Sequence, residues 1–211
     1  MKKYIMEFIG TFFLALTVGC VIAVNGGTPF APLAIGAILM IMVYAGGKIS
    51  GGHYNPAVTT AAVLRGALNL KELLPYFISQ ILGATLASFV VILFTNSSTI
   101  ISNDEFDILF LIIGELLFSF ALAFVVLLTA TFKETENNSY FGMAIGFTVT
   151  AGILTVGTLC PCAFNPAVAF SMGILHIISW KIAVITIFTN LFGGMFAAMM
   201  FHLVTKKEIF D

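Results

Sequence analysis

Charged side chains are scarce in this sequence. Of its 211 residues only 9% are charged and 60% are hydrophobic, whereas soluble domains carry about 25% charged residues. So few charges do not cover a surface that faces water, and the composition therefore predicts an integral membrane protein surrounded by the lipid bilayer. The net charge is −1 at pH 7, and no cluster of basic residues is present, which excludes nucleic acid as a partner.

Cysteine is also rare. The three cysteines, Cys20, Cys160 and Cys162, stand in apolar surroundings and make no disulfide framework. The segment Leu-Cys-Pro-Cys at 159–162 has no other ligand nearby, so a zinc site is not expected there. No group of residues has the spacing of a catalytic or cofactor site. The sequence therefore predicts a protein that is not an enzyme and holds neither a cofactor nor a metal.

Long hydrophobic runs, in contrast, are abundant. A helix needs about 20 apolar residues to cross a hydrocarbon core of roughly 30 Å. Two further apolar runs have 9 and 10 residues, so that as helices they reach roughly 14 Å, about half of the membrane. The six predicted spans are residues 4–24, 33–47, 75–94, 108–132, 140–159 and 182–204, and the two short runs are residues 56–64 and 166–175.

Basic residues indicate the orientation of these spans. With six spans, both termini and every second connection lie on the same side of the membrane. Eight of the nine basic residues fall on that side and only Lys181 falls on the other. Basic residues are retained on the cytoplasmic side, so we expect a multi-pass protein of the cell membrane with both termini in the cytoplasm. The eight residues are Lys2, Lys3, Lys48, Arg65, Lys71, Lys133, Lys206 and Lys207.

An internal repeat divides the chain. Each half holds three spans, an odd number, so the second half has to lie upside down relative to the first. We therefore expect a single channel domain over residues 1–211, built of inverted repeats at approximately 1–103 and 104–211, with the solute path between them near mid-membrane. The matching pairs are Asn55 with Asn165, Gln80 with Asn190 and Gly83 with Gly193, each 110 residues apart, and Glu7 with Glu115, 108 apart.

The four letters Asn-Pro-Ala-Val stand at 55–58 and again at 165–168. Asparagine is a preferred N-cap and proline a preferred first helical residue, so each copy predicts the start of a short helix. In inverted repeats the two helices enter from opposite faces and their N-termini meet near the midplane. Each N-terminus presents roughly half a positive charge, which opposes cations and protons. The two side-chain amides can donate hydrogen bonds to an uncharged solute.

These motifs are highly specific, and with them the chain resembles the aquaporins, or major intrinsic proteins, over essentially its whole length. The resemblance rests on "SGGHYNPAVT", on a second "NPA", on "EFIGTF" in the first span and on "QILGATLA" in the third. It implies an all-α membrane protein with six transmembrane helices and two re-entrant half-helices. It also implies a homotetramer with one pore per subunit and passive flux of water, glycerol or similar neutral molecules.

The resemblance also implies functional residues. Two motifs would form the centre of the pore, and the segment before the first would supply backbone carbonyls that line it. Two glutamates within the spans would hydrogen-bond the loops before the half-helices, with Gln80 in a similar supporting role. For His53 two roles remain open, a structural role and a gating role. The motif residues are Asn55, Pro56, Ala57, Asn165, Pro166 and Ala167, the carbonyls those of Gly51, Gly52, His53 and Tyr54, and the glutamates Glu7 and Glu115.

One departure from the family pattern bears on selectivity. An arginine usually follows the second motif, and here the residue is Val168. The spacing of the family's other filter positions leads to Ile35, Ile153 and Cys162. Four small or medium residues without charge predict a wider and drier ring, in which water loses hydrogen-bond partners at a cost in free energy.

We therefore expect a passive channel for small uncharged solutes, such as glycerol or urea, and water, that excludes ions and protons. A metalloid conduit of the arsenite type is an alternative within the same class. From other classes, an ion-permeable channel is possible because the filter lacks an arginine. A closed pore with a structural role is the third hypothesis, because an apolar ring can gate by dewetting.

Overall fold

The computed structural model describes residues 1–95 and 106–205. Within these residues the chain forms six long helices and two short ones. The long helices are α1 (Lys2–Gly19), α2 (Ala31–Ser50), α4 (Leu73–Phe94), α5 (Ile108–Val126), α6 (Phe141–Val156) and α8 (Trp180–Thr205). The short helices are α3 (Pro56–Arg65) and α7 (Pro166–Ile174).

Five of the long helices are apolar and long enough to cross a membrane, and α6 is a shorter apolar helix. Wider helical turns at Cys20–Val24 and Leu127–Thr131 extend α1 and α5. Helix α6 has 16 residues, which gives it a length of about 24 Å. It ends at Val156, three residues before the predicted end of that span. The helix ends where Gly157 enters a turn, and it does not resume before Pro161, which disfavours helix in the residue before it.

The long helices pack in pairs, with α1 against α4, α5 against α8, and α2 against α6. Glycines make the close approach of the first two pairs possible. A side chain added at Gly83 would meet the carbonyl oxygen of Phe8, and one added at Gly193 would meet the Ser119 hydroxyl. The first and second halves of the chain thus use the same device, in which a small residue brings two apolar helices into contact.

The two short helices lie inside the molecule. In α3 the first seven residues are buried, and in α7 every residue from Pro166 to Gly173 except Phe170 is buried. Helix α3 packs on α8, where Gly194 leaves room for the carbonyl of Ala57. The long helices expose large apolar side chains on their outer faces, among them Leu93, Leu109, Phe188 and Leu203. This is the arrangement of a multi-pass membrane protein, apolar toward lipid and with irregular backbone kept inside.

The halves use equivalent contacts, but the predicted boundary between the repeats at 103 and 104 lies outside the described residues. The division into 1–103 and 104–211 therefore stays a prediction. Lys206 and Lys207, which contribute to the predicted orientation, also lie outside the described part of the chain.

Candidate pore

Each asparagine of the two motifs caps the short helix that follows it. The Oδ1 atom of Asn55 accepts a hydrogen bond of 2.8 Å from the backbone N–H of Ala57. The Oδ1 atom of Asn165 accepts one of 2.9 Å from Ala167. Both asparagines have extended backbone, and a proline follows each at the first helical position. The sequence pattern Asn-Pro therefore initiates α3 and α7 in the same way.

The tips of the two short helices are joined by reciprocal hydrogen bonds. Asn55 Nδ2 donates to the carbonyl of Phe164, and Asn165 Nδ2 donates to the carbonyl of Tyr54, both at 2.9 Å. Tyr54 and Phe164 have φ values of 49° and 48°, a left-handed conformation that side chains other than glycine rarely adopt. This conformation aims each carbonyl at the opposite asparagine.

A side-chain amide nitrogen carries two hydrogens. Among the contacts of residues 1–95 and 106–205, each of the two Nδ2 atoms makes one hydrogen bond within the protein. Both asparagines also line the same cavity. The second N–H of each amide is thus available to a molecule in that cavity, next to the positive ends of α3 and α7.

Two buried carboxylates hold the segments that lead into the short helices. Glu7 accepts hydrogen bonds from the backbone N–H groups of His53 and Tyr54, at 3.0 and 2.7 Å. Glu115 accepts hydrogen bonds from those of Ala163 and Phe164, at 2.9 and 2.8 Å. These N–H groups have no partner within a helix. A carboxylate is a stronger hydrogen-bond acceptor for them than a neutral carbonyl group is.

Polar side chains complete both carboxylate sites. Gln80 donates to Glu7 at 2.8 Å and to the Thr59 hydroxyl at 2.9 Å, and Ser50 donates its hydroxyl to Glu7 at 2.7 Å. With its amide oriented to satisfy both neighbours, Asn190 donates to Glu115 at 3.0 Å and accepts from the backbone N–H of Asn165 at 2.9 Å. Gln80 and Asn190 therefore make comparable contacts in the two halves.

The cavity between the two halves has a volume of about 190 Å³. Its wall is apolar except for the two asparagines, His53 and Cys162, and no Asp, Glu, Lys or Arg side chain contributes to it. We name it the narrow cavity. Its apolar wall includes Leu14, Val18, Leu39, Val58, Leu122, Val126, Ile145 and Val149.

The four residues predicted to form the filter all line the narrow cavity. Ile35 comes from α2 and Ile153 from α6, while Cys162 precedes α7 and Val168 lies in its first turn. The structure thus brings together four side chains that are up to 133 residues apart in the sequence. Their action in selecting solutes stays a prediction.

A second cavity of about 700 Å³ adjoins the narrow cavity, and His53 and Val126 line both. We name it the vestibule. Unlike the narrow cavity it is lined by charged groups, namely Lys48, Arg65, Lys133 and Glu136. His53 is 7% exposed and its Nδ1 lies 3.2 Å from the Thr59 hydroxyl. The ring therefore stands at the passage from a charged chamber to an uncharged one.

Part of the predicted carbonyl segment lies at this passage. Gly51 and His53 line the vestibule, and Gly51 and Gly52 have φ values of 92° and 64°, which glycine adopts without strain. The carbonyl of Tyr54 accepts from Asn165, which leaves its second lone pair for a solute. Whether these carbonyls line the path of the solute stays a prediction.

Several contacts of the site are not evident from the sequence. The Tyr76 hydroxyl donates to the carbonyl of Ser50 at 2.7 Å, which adds to the support of the first loop. Arg65 donates to the hydroxyl and to the carbonyl of Thr131, at 2.8 and 2.7 Å, and its guanidinium lies over the ring of Phe201. We name these contacts the Arg65 clamp. In the sequence, one feature indicates it, namely an arginine at the end of an apolar half-helix. Within the described ranges, no three His, Cys, Asp or Glu side chains come together as possible metal ligands.

Comparison with known proteins agrees with this architecture. The model of the family described as "Major intrinsic protein" matches residues 1–201. The chain is 34% identical over 175 residues to "Glycerol uptake facilitator protein-like 6" of Lactiplantibacillus plantarum, covering 79% of this chain and 81% of that protein. It is also 34% identical over 180 residues to "Aquaporin NIP1-1" of Zea mays, covering 79% of this chain and 62% of that longer protein.

The fold has a close counterpart among solved structures. The X-ray structure of the aquaglyceroporin from Plasmodium falciparum superposes with a TM-score of 0.79, covering 95% of this chain and 94% of that one at 18% identity. At this identity the likeness concerns the fold alone. The match of the family model over nearly the whole sequence, together with relatives above 30% identity, shows the relationship. The chain belongs to the major intrinsic protein family.

Proposed function

We propose that this chain conducts uncharged solutes larger than water, of the size of glycerol or urea, together with water and down their gradients, and that it excludes ions and protons. As a member of a family of membrane channels, it is a passive channel and not an enzyme. The observation that carries the proposed selectivity is the wall of the narrow cavity, where two amide donors face a passage lined otherwise by uncharged and largely apolar residues.

The two asparagines supply the polar part of the path. A solute hydroxyl or carbonyl oxygen can accept from the second N–H of Asn55 or Asn165 while its carbon atoms lie on the apolar wall. A water bound to both amides through its oxygen turns its hydrogens outward, which interrupts a chain of waters that would conduct protons. The positive ends of α3 and α7 oppose cations at the same point.

The predicted filter supports a solute larger than water. Ile35, Ile153, Cys162 and Val168 offer no charge, and of these only the cysteine thiol is a weak donor. A polar group that loses its hydrogen bonds in such a ring costs about 1–3 kcal/mol. Water has little apolar contact to offset that cost, whereas glycerol has carbon atoms that contact the wall. The name of the Lactiplantibacillus relative, a glycerol uptake facilitator-like protein, is in line with this choice.

We further propose a homotetramer in the cell membrane with both termini in the cytoplasm. The outer faces of the helices expose many large apolar side chains, which suits both lipid and neighbouring subunits. Lys48, Arg65 and Lys133 meet around the vestibule, and the positive-inside preference favours the cytoplasmic side for that end.

The proposal is tested in proteoliposomes that hold the purified protein. Shrinkage and reswelling after a step in glycerol, urea or water concentration are followed by light scattering, while an enclosed pH dye reports protons. We expect glycerol or urea flux above that of protein-free liposomes, with no change in the dye signal. Arsenite flux without glycerol flux would favour a metalloid conduit. Conductance across a planar bilayer would favour an ion channel, and no flux of any kind would favour a closed pore.

A further inference from the structure

The two halves differ in the segments that precede the two motifs. The offset of 110 that relates Asn55 to Asn165 also relates Ser50 to Cys160 and Gly52 to Cys162. In the first half the Ser50 hydroxyl donates to Glu7 at 2.7 Å. In the second half the thiol of Cys160 lies instead 3.4 Å from the thiol of Cys162. The position whose side chain supports the carboxylate in the first half of the chain therefore carries, in the second half, one of two adjacent thiols.

The backbone holds this pair in place. Cys162 has a φ of 55°, close to the 64° of Gly52, so a cysteine occupies a left-handed position that favours glycine. Pro161 between the cysteines has a fixed φ, and it restricts the backbone of Cys160 before it. The Cys160 sulfur also packs against Gly114, because a Cβ added to that glycine would lie 2.8 Å from the sulfur. The two sulfurs therefore face each other without a flexible segment between them.

We propose that Cys160 and Cys162 form a two-thiol site in the wall of the pore that chelates one thiophilic centre with two exchangeable ligands. Two thiolates bound at about 2.3 Å to one tetrahedral ion lie roughly 3.8 Å apart. The observed 3.4 Å requires a shift of only a few tenths of an ångström from this arrangement. Thiolates select soft centres of this kind over the hard cations Mg²⁺ and Ca²⁺.

The position of the site determines what binding does to the pore. Cys162 lines the narrow cavity with Ile153 and Val168, whereas Cys160 is only 2% exposed and lies behind it. A reagent that binds a single thiol therefore reaches only Cys162. A centre that is chelated binds both sulfurs and is held at the predicted filter. Bound there, it narrows the passage and stops flux. This effect on flux, but not the binding itself, rests on the proposed function.

Phenylarsine oxide is a suitable probe because its arsenic binds two thiols without a change of oxidation state. Each sulfur replaces its bond to hydrogen by a bond to arsenic, and the oxide oxygen leaves with the two hydrogens as one water molecule. The full-length protein with Cys20→Ser is incubated with the probe, and its intact mass is measured. We expect one adduct per chain, protection of Cys162 from a maleimide, and reversal by a dithiol but not by a monothiol.

Two variants identify the ligands. Cys160→Ser places in the second half the residue that the first half has at Ser50, so the fold has a precedent for it, and Cys162→Ser removes the other sulfur. Each should lose the monothiol-resistant adduct, whereas Cys20→Ser alone should keep it. A monothiol-resistant adduct that survives in Cys160→Ser, or a probe-treated Cys20→Ser chain in which Cys162 is still open to maleimide, would overturn the proposal. Protection by the probe with unchanged solute flux would retain the thiol site but contradict the position of the pore.

Discussion

Glu7 and Glu115 hold the two re-entrant segments in the same way. Each carboxylate accepts the backbone N–H groups of the two residues immediately before the asparagine of a motif, over distances of 2.7–3.0 Å. Both side chains are fully buried, and their donors lie 46–49 residues further along the chain. The carboxylates therefore fix the irregular backbone that leads to the two motifs.

Replacement of either carboxylate by an amide should destabilise the protein. In Glu7→Gln or Glu115→Gln the new NH₂ group faces a backbone N–H, and a buried donor left without an acceptor costs about 1–3 kcal/mol. Unfolding of the purified protein in detergent measures the loss. Glu72→Gln is the control, because that carboxylate pairs with Lys3 at the surface, where water screens the charges. An equal loss in all three variants would contradict the role of the buried pair.

Gly83→Ala and Gly193→Ala should prevent the close packing of α1 with α4 and of α5 with α8. The added methyl group would meet the carbonyl of Phe8 in the first case and the Ser119 hydroxyl in the second. Overpacking of this kind costs about 1–3 kcal/mol or more, so we expect less folded protein by size-exclusion chromatography. In Gly47→Ala the nearest atom is in the Phe141 ring, at 3.2 Å. That control should fold as the wild type does. Loss of folded protein in Gly47→Ala, but not in Gly83→Ala and Gly193→Ala, would show that the two helix pairs tolerate an added side chain.

The asparagines should contribute to the stability of the half-helices and also to flux. Asn55→Ala and Asn165→Ala each remove a cap, a bond to the opposite tip and a donor in the narrow cavity. Asn69→Ala removes only a cap, the bond of 2.9 Å from Lys71, which is typically worth about 1 kcal/mol. Light scattering should therefore show reduced glycerol flux in the two pore variants and wild-type flux in the control. Unchanged flux in Asn55→Ala would refute the donor role.

Arg65→Lys should loosen the wall of the vestibule. The guanidinium bonds Thr131 at two atoms and lies over the ring of Phe201, a geometry that a lysine does not reproduce. We expect faster backbone hydrogen exchange at residues 127–131 and a lower unfolding temperature. Lys48→Arg is the matched change of a cation that also lines the vestibule but is exposed, and it should leave both measurements unchanged. The same exchange rates in Arg65→Lys and wild type would contradict the clamp.

The sequence predicts much of this site because its main determinants are local. An Asn-Pro pair before an apolar run of half-membrane length specifies a capped short helix, and α3 and α7 begin at the predicted residues Pro56 and Pro166. The buried glutamates are also visible in sequence, since an ionisable group in a span needs partners. An all-α membrane fold follows from these features, and the family relationship is confirmed.

Other parts of the site depend on backbone direction, which spacing does not determine. The left-handed residues Tyr54 and Phe164 turn their carbonyls toward the asparagine of the opposite motif, although neither residue type favours that conformation. The repeat offset aligns Cys160 with Ser50, yet only the structure shows that the thiol faces Cys162 rather than Glu115. The end of α6 at Val156 was missed as well, because apolar character continues beyond the helix.

The central claim is that the uncharged wall at Val168 admits solutes larger than water. The most direct measurement compares glycerol and water flux in proteoliposomes of the wild type, Val168→Arg and the uncharged control Val168→Met. An arginine at this position reduces the width of the narrow cavity and supplies fixed hydrogen-bond donors. We therefore expect glycerol flux to fall by about tenfold, equivalent to roughly 1.4 kcal/mol. Water flux should stay the same or rise. Val168→Met should reduce glycerol flux less. Glycerol flux in Val168→Arg equal to that of the wild type would contradict the account.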